Sequence, residues 1–354
     1  MSSSLSQRIA GTGAMNVAQT HSISQLEQGT SIKSYQAVDA LSFDLVERML
    51  GSAWIRENKY VPFSVFDLFD YQIDPKSFIA CIPYHDSFRA RFWAIMAHEL
   101  AHVFVYESTQ ATRNIEIISL LWDFTEPLVD EFSMDFTTAS RQLTELFSDI
   151  IGTYVCPATF VTSTVKLPYS TESDVDPLIS RIQRSTHPPT DCRLAAMKEV
   201  LEGNGLLYAD SVLDDYVDSS LKLFCRKNLT GLTPSSQDVM EDYTELAKLV
   251  SQSLLEVLPH TTVKPMTTSD WQMTRKGLFC ELDLPPTFLV NLAWIKRLEC
   301  IRRDSNHDFR AYSESRKRET QFLENIINSA QKYYTERIAS RVSGDIYDLC
   351  IDSS

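Results

Sequence analysis

Two histidines stand four residues apart in the stretch AIMAHELAHVFV, residues 94–105, as His98-Glu99-Leu100-Ala101-His102. On an α-helix, residues i and i+4 share a face. His98 and His102 can therefore both turn toward one metal ion, with Glu99 beside the first of them. The chemistry that this H-E-x-x-H set performs is hydrolysis. Two imidazoles hold zinc, and zinc brings the pKa of a bound water toward ~7. A neighbouring carboxylate then takes the proton, so that the oxygen can attack a carbonyl. Glu99 is the candidate general base. The chain has seven histidines, and the odds of such a pattern arising by chance are roughly one in a hundred. Around it Trp93, Ile95, Met96, Leu100, Val103 and Phe104 cover nearly every face. A helix apolar all round is a buried one, and a carboxylate and two histidines in it are costly unless paired. Metal ligation is such a pairing.

A catalytic zinc takes three protein ligands and keeps one position open. The best candidate for the third is Glu145, in TELFSDIIG. Leu143, Leu146, Phe147, Ile150 and Ile151 form the apolar face of that helix, and Glu145 and Asp149 sit four apart on another side. One carboxylate can bind zinc while the other, Asp149, accepts a hydrogen bond from a ligand histidine and fixes its tautomer. Taken alone, the E-x-x-x-D spacing also suits an exposed acidic face. His187 opens His187-Pro188-Pro189, which restricts its backbone. Arg193 follows six residues later. Near the zinc these two can stabilise the oxyanion formed when an amide is attacked; taken alone, His-Pro-Pro is a turn. His85 is a further candidate for the cleft.

These groups need elements to hold them. A chain of 354 residues is long enough for about two domains. It is 44% hydrophobic and 23% charged, an ordinary globular composition. Its 10 glycines are few, and its periodic segments are long, so the fold class is α+β and predominantly helical. Helical patterns run over 37–54, 88–107, 114–132, 141–155 and 191–201, with Pro127 expected to break or kink the third. KSFIACIPY, 76–84, reads as a strand, and YVPFSVFDLFDY, 60–71, is ambiguous. Residues 166–176 form a polar loop, and Pro177 opens a helix. Beyond Gly203-Asn204-Gly205 the chain carries helical segments near 207–227, 236–258, 286–304 and 309–342. This gives a flexible N-terminal tail (1–34), a catalytic domain (35–204) and an all-helical C-terminal domain (205–354).

The net charge is −14, whereas nucleic-acid binders show a basic patch or stripe. The one basic cluster, Arg316-Lys317-Arg318, reads as a solvated helix face. Seven cysteines, an odd number with no C-x-x-C pair, point to free thiols in a reducing compartment and not to zinc ligands. The longest apolar runs, such as IISLLW at 117–122, fall far short of the ~18–20 residues of a membrane span. The N-terminus has no apolar central region and is not a secretory signal. Together these features place the chain in the cytoplasm, away from nucleic acid and membrane.

Three blocks, HELAH (98–102), ELFSD (145–149) and STHPPTDCR (185–193), resemble the gluzincin zinc metallopeptidases. Among these the M48 family, which includes the CAAX prenyl peptidases and the HtpX-type quality-control proteases, is the nearest in pattern. The resemblance covers about residues 76–201. It implies a zincin-like catalytic domain with a small sheet and one Zn2+ per chain. It implies ligands at His98, His102 and Glu145, a general base at Glu99, a supporting aspartate at Asp149, and a His-Pro block at His187 and Arg193. It also implies that the strand before the motif helix lies at a sheet edge, where an extended substrate backbone can pair with it. A plain core strand is the equal alternative. Many members of that family are membrane-embedded, and this chain has no comparable hydrophobic segments.

The expected activity is zinc-dependent endopeptidase cleavage of a protein or peptide substrate. The alternative is a regulatory or binding protein that retains the zincin fold with little or no proteolytic activity. In that case the C-terminal helices would be its working surface for a partner or for a second copy of the chain. A purely structural zinc site would need a fourth protein ligand, and none is evident.

Overall fold

The computed structural model describes residues 32–67, 71–74, 79–83, 90–110, 114–157, 160–161, 185–204, 234–277, 284–304 and 309–339. The expected tail up to residue 31, His85, the loop 166–176 with Pro177, and the expected helix at 207–227 lie outside these residues. So does the stretch 205–233 that the expected domain boundary opens. Among the described residues there are nine α-helices and three short strands, so the fold is α+β and predominantly helical. No described helix is long and apolar enough to cross a membrane.

In order, the elements are α1 (Ile32–Glu57), β1 (Phe63–Asp67), β2 (Gln72–Asp74) and β3 (Ile79–Pro83). A 3-10 turn (Ala90–Ile95) leads into α2 (Met96–Gln110), α3 (Ile115–Phe132), α4 (Phe136–Val155) and α5 (Thr190–Gly203). Then come α6 (Pro234–Val257), α7 (Thr268–Gly277), α8 (Pro286–Asp304) and α9 (Phe309–Tyr334). They gather into two units that are not consecutive halves of the chain. One comprises Met1–Glu47, Gly51–Glu99 and Met273–Ser354; the other comprises Arg48–Leu50 and Leu100–Gln272.

In the first unit, α1 is buried on all sides from Ala37 to Val46. Its acidic residues need partners there, and each has one. Asp39 accepts a hydrogen bond from the Ser64 amide of β1 at 2.7 Å. Asp44 accepts from the Thr287 amide at 3.0 Å and the Thr287 hydroxyl at 2.6 Å. A carboxylate at the start of α8 satisfies amides that have no intrahelical acceptor. The sheet has the order β1-β3-β2. β1 runs parallel to β3 with Phe63 opposite Ile79, and β2 runs antiparallel with Gln72 opposite Cys81. β3, read from sequence equally as an edge strand or a core strand, is therefore the central one. Both its backbone edges are taken, and it is a core strand without an edge to offer a substrate. α8 packs on α9 and on the 3-10 turn, and Arg297 of α8 meets the buried Glu319 of α9 at 2.9 Å.

In the second unit α3, α4, α5 and α6 pack together. Leu143, Phe147, Ile150, Met197, Val200 and Leu254 are among the side chains filling the core between them. α4 starts at Phe136, five residues before the expected start, because Asp135 caps it by accepting from the Thr138 amide. Pro127 lies inside an unbroken α3 and does not end it. The apolar face of α3 continues past the proline at Leu128 and Phe132, so packing overrides the local penalty. α7 is a helix that periodicity did not reveal.

Gly51 interrupts α1 with φ 83° and ψ 158°, a conformation essentially restricted to glycine. The carbonyls of Arg48 and Met49, just ahead of the break, accept from the Lys264 amide at 2.8 Å and the Thr262 hydroxyl at 2.9 Å. Gly51→Ala should cost about 1–3 kcal/mol, read as a lower denaturation midpoint; an unchanged midpoint would show that the break is not required.

Burial pushes the Asp39 carboxyl up to about 7 from an ordinary 3.8, against the opposing hydrogen bonds from Ser64. Between those pH values the folded chain holds a proton that the unfolded chain has released. This contribution to stability is therefore present at low pH and lost as pH rises through about 7. Asp39→Asn keeps the acceptor for Ser64 and cannot ionise. Its melting temperature should fall less than that of the unaltered chain between about pH 5 and about pH 8; equal slopes would refute the assignment.

Candidate metal centre

The motif helix is entered through the 3-10 turn Ala90–Ile95, and His98 is the third residue of α2. Trp93, Met96, Ala97, Leu100 and Ala101 are buried around it. That burial holds the helix in place and leaves the His98–His102 line as its polar seam. His98 is buried, while Glu99 and His102 are half-buried. α4 brings Glu145 to the same place. His98, His102 and Glu145 each present one ligand atom, and these atoms all lie within 4.8 Å of one another. Two imidazole nitrogens and a carboxylate oxygen are the donor set that zinc accepts in a site with an open position. The residues fit the metal.

His102 Nε2 lies 3.4 Å from Glu145 Oε1, and its Nδ1 lies 3.0 Å from Ser148 Oγ. If Nε2 is the ligating atom, Nδ1 carries the proton and donates it to Ser148. That fixes the ring and its tautomer. The other carboxylate oxygen, Glu145 Oε2, lies 3.3 Å from His187 Nε2. If the ring is in the tautomer that faces a carboxylate with a proton, Nε2 carries it. Nδ1 is then the acceptor, and the Thr186 hydroxyl 3.0 Å away donates to it. His187 is 55% exposed and Glu145 16%, so the His187 side of the cluster opens to solvent.

The remaining two expected site residues are paired with each other. Arg193 donates from Nε to Asp149 Oδ2 at 2.5 Å and from Nη2 to Asp149 Oδ1 at 2.8 Å. The carboxylate is wholly buried and the guanidinium nearly so. The expectation gave Asp149 to a ligand histidine and Arg193 to an oxyanion. The geometry joins the two in a two-bond fork that ties α4 to α5.

Of the residues named from sequence, His98, His102, Glu145 and His187 come together, with Glu99 next to His98 on α2. His85 lies outside the described residues. Ser148, Thr186, Gln142 and Tyr243 were not anticipated. Gln142 stands three residues before Glu145 and seven before Asp149, a same-face spacing that could have revealed it. Ser148 and Thr186 are polar residues of a common kind, and nothing in the sequence links Tyr243 to the motif.

If Ser148 orients His102, Ser148→Ala should weaken zinc binding by about 10- to 100-fold while leaving the melting temperature of the zinc-free chain nearly unchanged. Competition against a chromophoric chelator reads this directly, and equal affinities would remove Ser148 from the site.

Comparison of the chain with protein-family models, with curated proteins and with solved structures finds no match.

Proposed function

We propose that the chain is a zinc-dependent metalloendopeptidase of gluzincin type, M48-like in its motif order, acting on a protein or peptide substrate. One observation carries this reading. The two histidines of the motif helix and a glutamate from a separate helix converge within 4.8 Å, and Glu99 is the next residue after a ligand. A site that only held metal would have no use for that carboxylate.

His98 and His102 would hold the ion through their imidazoles and Glu145 through one carboxylate oxygen. Zinc bound there supplies Lewis-acid polarisation of the scissile carbonyl and lowers the pKa of a water. Glu99 accepts a proton from the attacking water on its carboxylate and passes it to the leaving amine. His187, half-exposed beside Glu145, has its Nε2 proton available to orient that carboxylate or to meet the negative charge developing on the carbonyl oxygen. Arg193 works at one remove, through its fork to Asp149.

The test has two arms. Glu99→Gln should lower kcat by about 10²- to 10⁴-fold with zinc content unchanged, because amide and carboxylate have the same shape but only the latter accepts a proton. Glu145→Ala should lose zinc, measured by elemental analysis. A chain that binds zinc, cleaves no peptide, and keeps its cellular role as Glu99→Gln would be the regulatory protein instead.

A further inference from the structure

α4 turns one polar stripe toward the segment 185–193. Gln142, Glu145 and Asp149 are spaced i, i+3 and i+7, so they line up along one side of the helix at intervals of about 4.5 and about 6 Å. Each holds one point of that segment, in the same order. Gln142 Nε2 donates to the Ser185 carbonyl at 2.7 Å. Glu145 Oε2 meets His187 Nε2 at 3.3 Å. Asp149 takes the Arg193 fork. The segment is fastened to α4 at three points, and His187 is the middle one.

The first fastening is set from a third helix. Gln142 is fully buried, and its Oε1 accepts from the Tyr243 hydroxyl of α6 at 2.6 Å. This bond decides which way the amide faces, since a hydroxyl donor at Oε1 leaves the NH2 group for the Ser185 carbonyl. From Ser185 two short links reach the histidine. The His187 amide donates to Ser185 Oγ at 3.1 Å, and the neighbouring Thr186 hydroxyl meets His187 Nδ1 at 3.0 Å. Tyr243 is itself buried, its ring edge-on to Phe132 with centroids 4.9 Å apart. Burial, with a smaller contribution from Cys192, keeps its phenol protonated well above the usual range, so it remains a donor.

We infer that Tyr243, acting through Gln142, is a positioning residue: it fixes the Ser185–His187 turn so that the His187 imidazole stands against Glu145. α6, which lies outside the segment that carries the family resemblance, would then be part of the catalytic apparatus. This rests on the peptidase reading above, and it gives one C-terminal helix a role within the site.

Tyr243→Phe keeps the ring and its contact with Phe132 and removes one hydroxyl. Gln142→Met keeps the length and removes both hydrogen bonds. In the full zinc-loaded chain each should lower kcat by about 10- to 100-fold, the scale of a small misplacement of a reacting group, with KM and zinc content within about twofold. In a His187→Ala background Tyr243→Phe should add no further loss, because both act through the same imidazole. Unchanged kcat, or an equal loss with and without His187, would overturn the inference and leave Tyr243 a core residue. Should the unaltered chain cleave no peptide, the peptidase reading falls and the positioning claim is read separately. The 15N imidazole resonances of His187, identified by their absence in His187→Ala, should move in Tyr243→Phe. Unmoved resonances would overturn the positioning claim as well.

Discussion

The pair of Asp149 and Arg193 places two opposite charges where water scarcely reaches. Taking a charge out of water is costly, and only close, well-formed contacts recover that cost. The planar guanidinium meets both carboxylate oxygens, the arrangement for which arginine is best suited. Neither group could stay without the other, since a lone buried charge of this kind costs about 3–5 kcal/mol. α4 and α5 are therefore held in register at this point. Glu145 stands one turn before the aspartate and His187 six residues before the arginine, so the clamp also sets the frame in which Glu145 and His187 meet. The pair holds its neighbours still, and the polar stripe on α4 extends the same device by two further contacts.

α1 in the first unit handles buried carboxylates differently. Asp44 receives an amide and a hydroxyl at the head of α8, whereas Asp39 receives the Ser64 amide. The two acids, five residues apart on one helix, tie it in different directions, to α8 and to the sheet. The Asp39 interaction is too little to offset its desolvation, and its carboxyl titrates near 7 as a result. The contrast with Asp149 lies in the partner: Asp149 faces a cation, whereas Asp39 faces only the neutral groups of Ser64.

KSFIACIPY and the third helix illustrate where local pattern stops being informative. An apolar run shows that a strand is buried, but strand pairing is made by backbone groups that every residue carries. The side chains of Ile79–Pro83 hold no record of having β1 on one edge and β2 on the other. Pro127 likewise carries a local penalty for a helix interior, and α3 continues because Leu128 and Phe132 bury themselves in the core. In the strand the local pattern was silent, and in the helix the proline's own preference was outweighed by packing into the core.

The sequence by itself determined the predominantly helical α+β class, most helix positions, and the set of His98, His102 and Glu145 as metal candidates. These were legible because helix periodicity and i, i+4 spacing are local: two histidines four apart share a face wherever their helix is packed. Tertiary structure alone decided that Asp149 and Arg193 bond to each other, that Ser148 stands behind His102, and that Tyr243 reaches Gln142 across 101 positions. Such pairings depend on which helix faces are pressed together. The chain's order does not encode that contact, because burial rewards any apolar face that fits, and polar partners are chosen only after the helices have met.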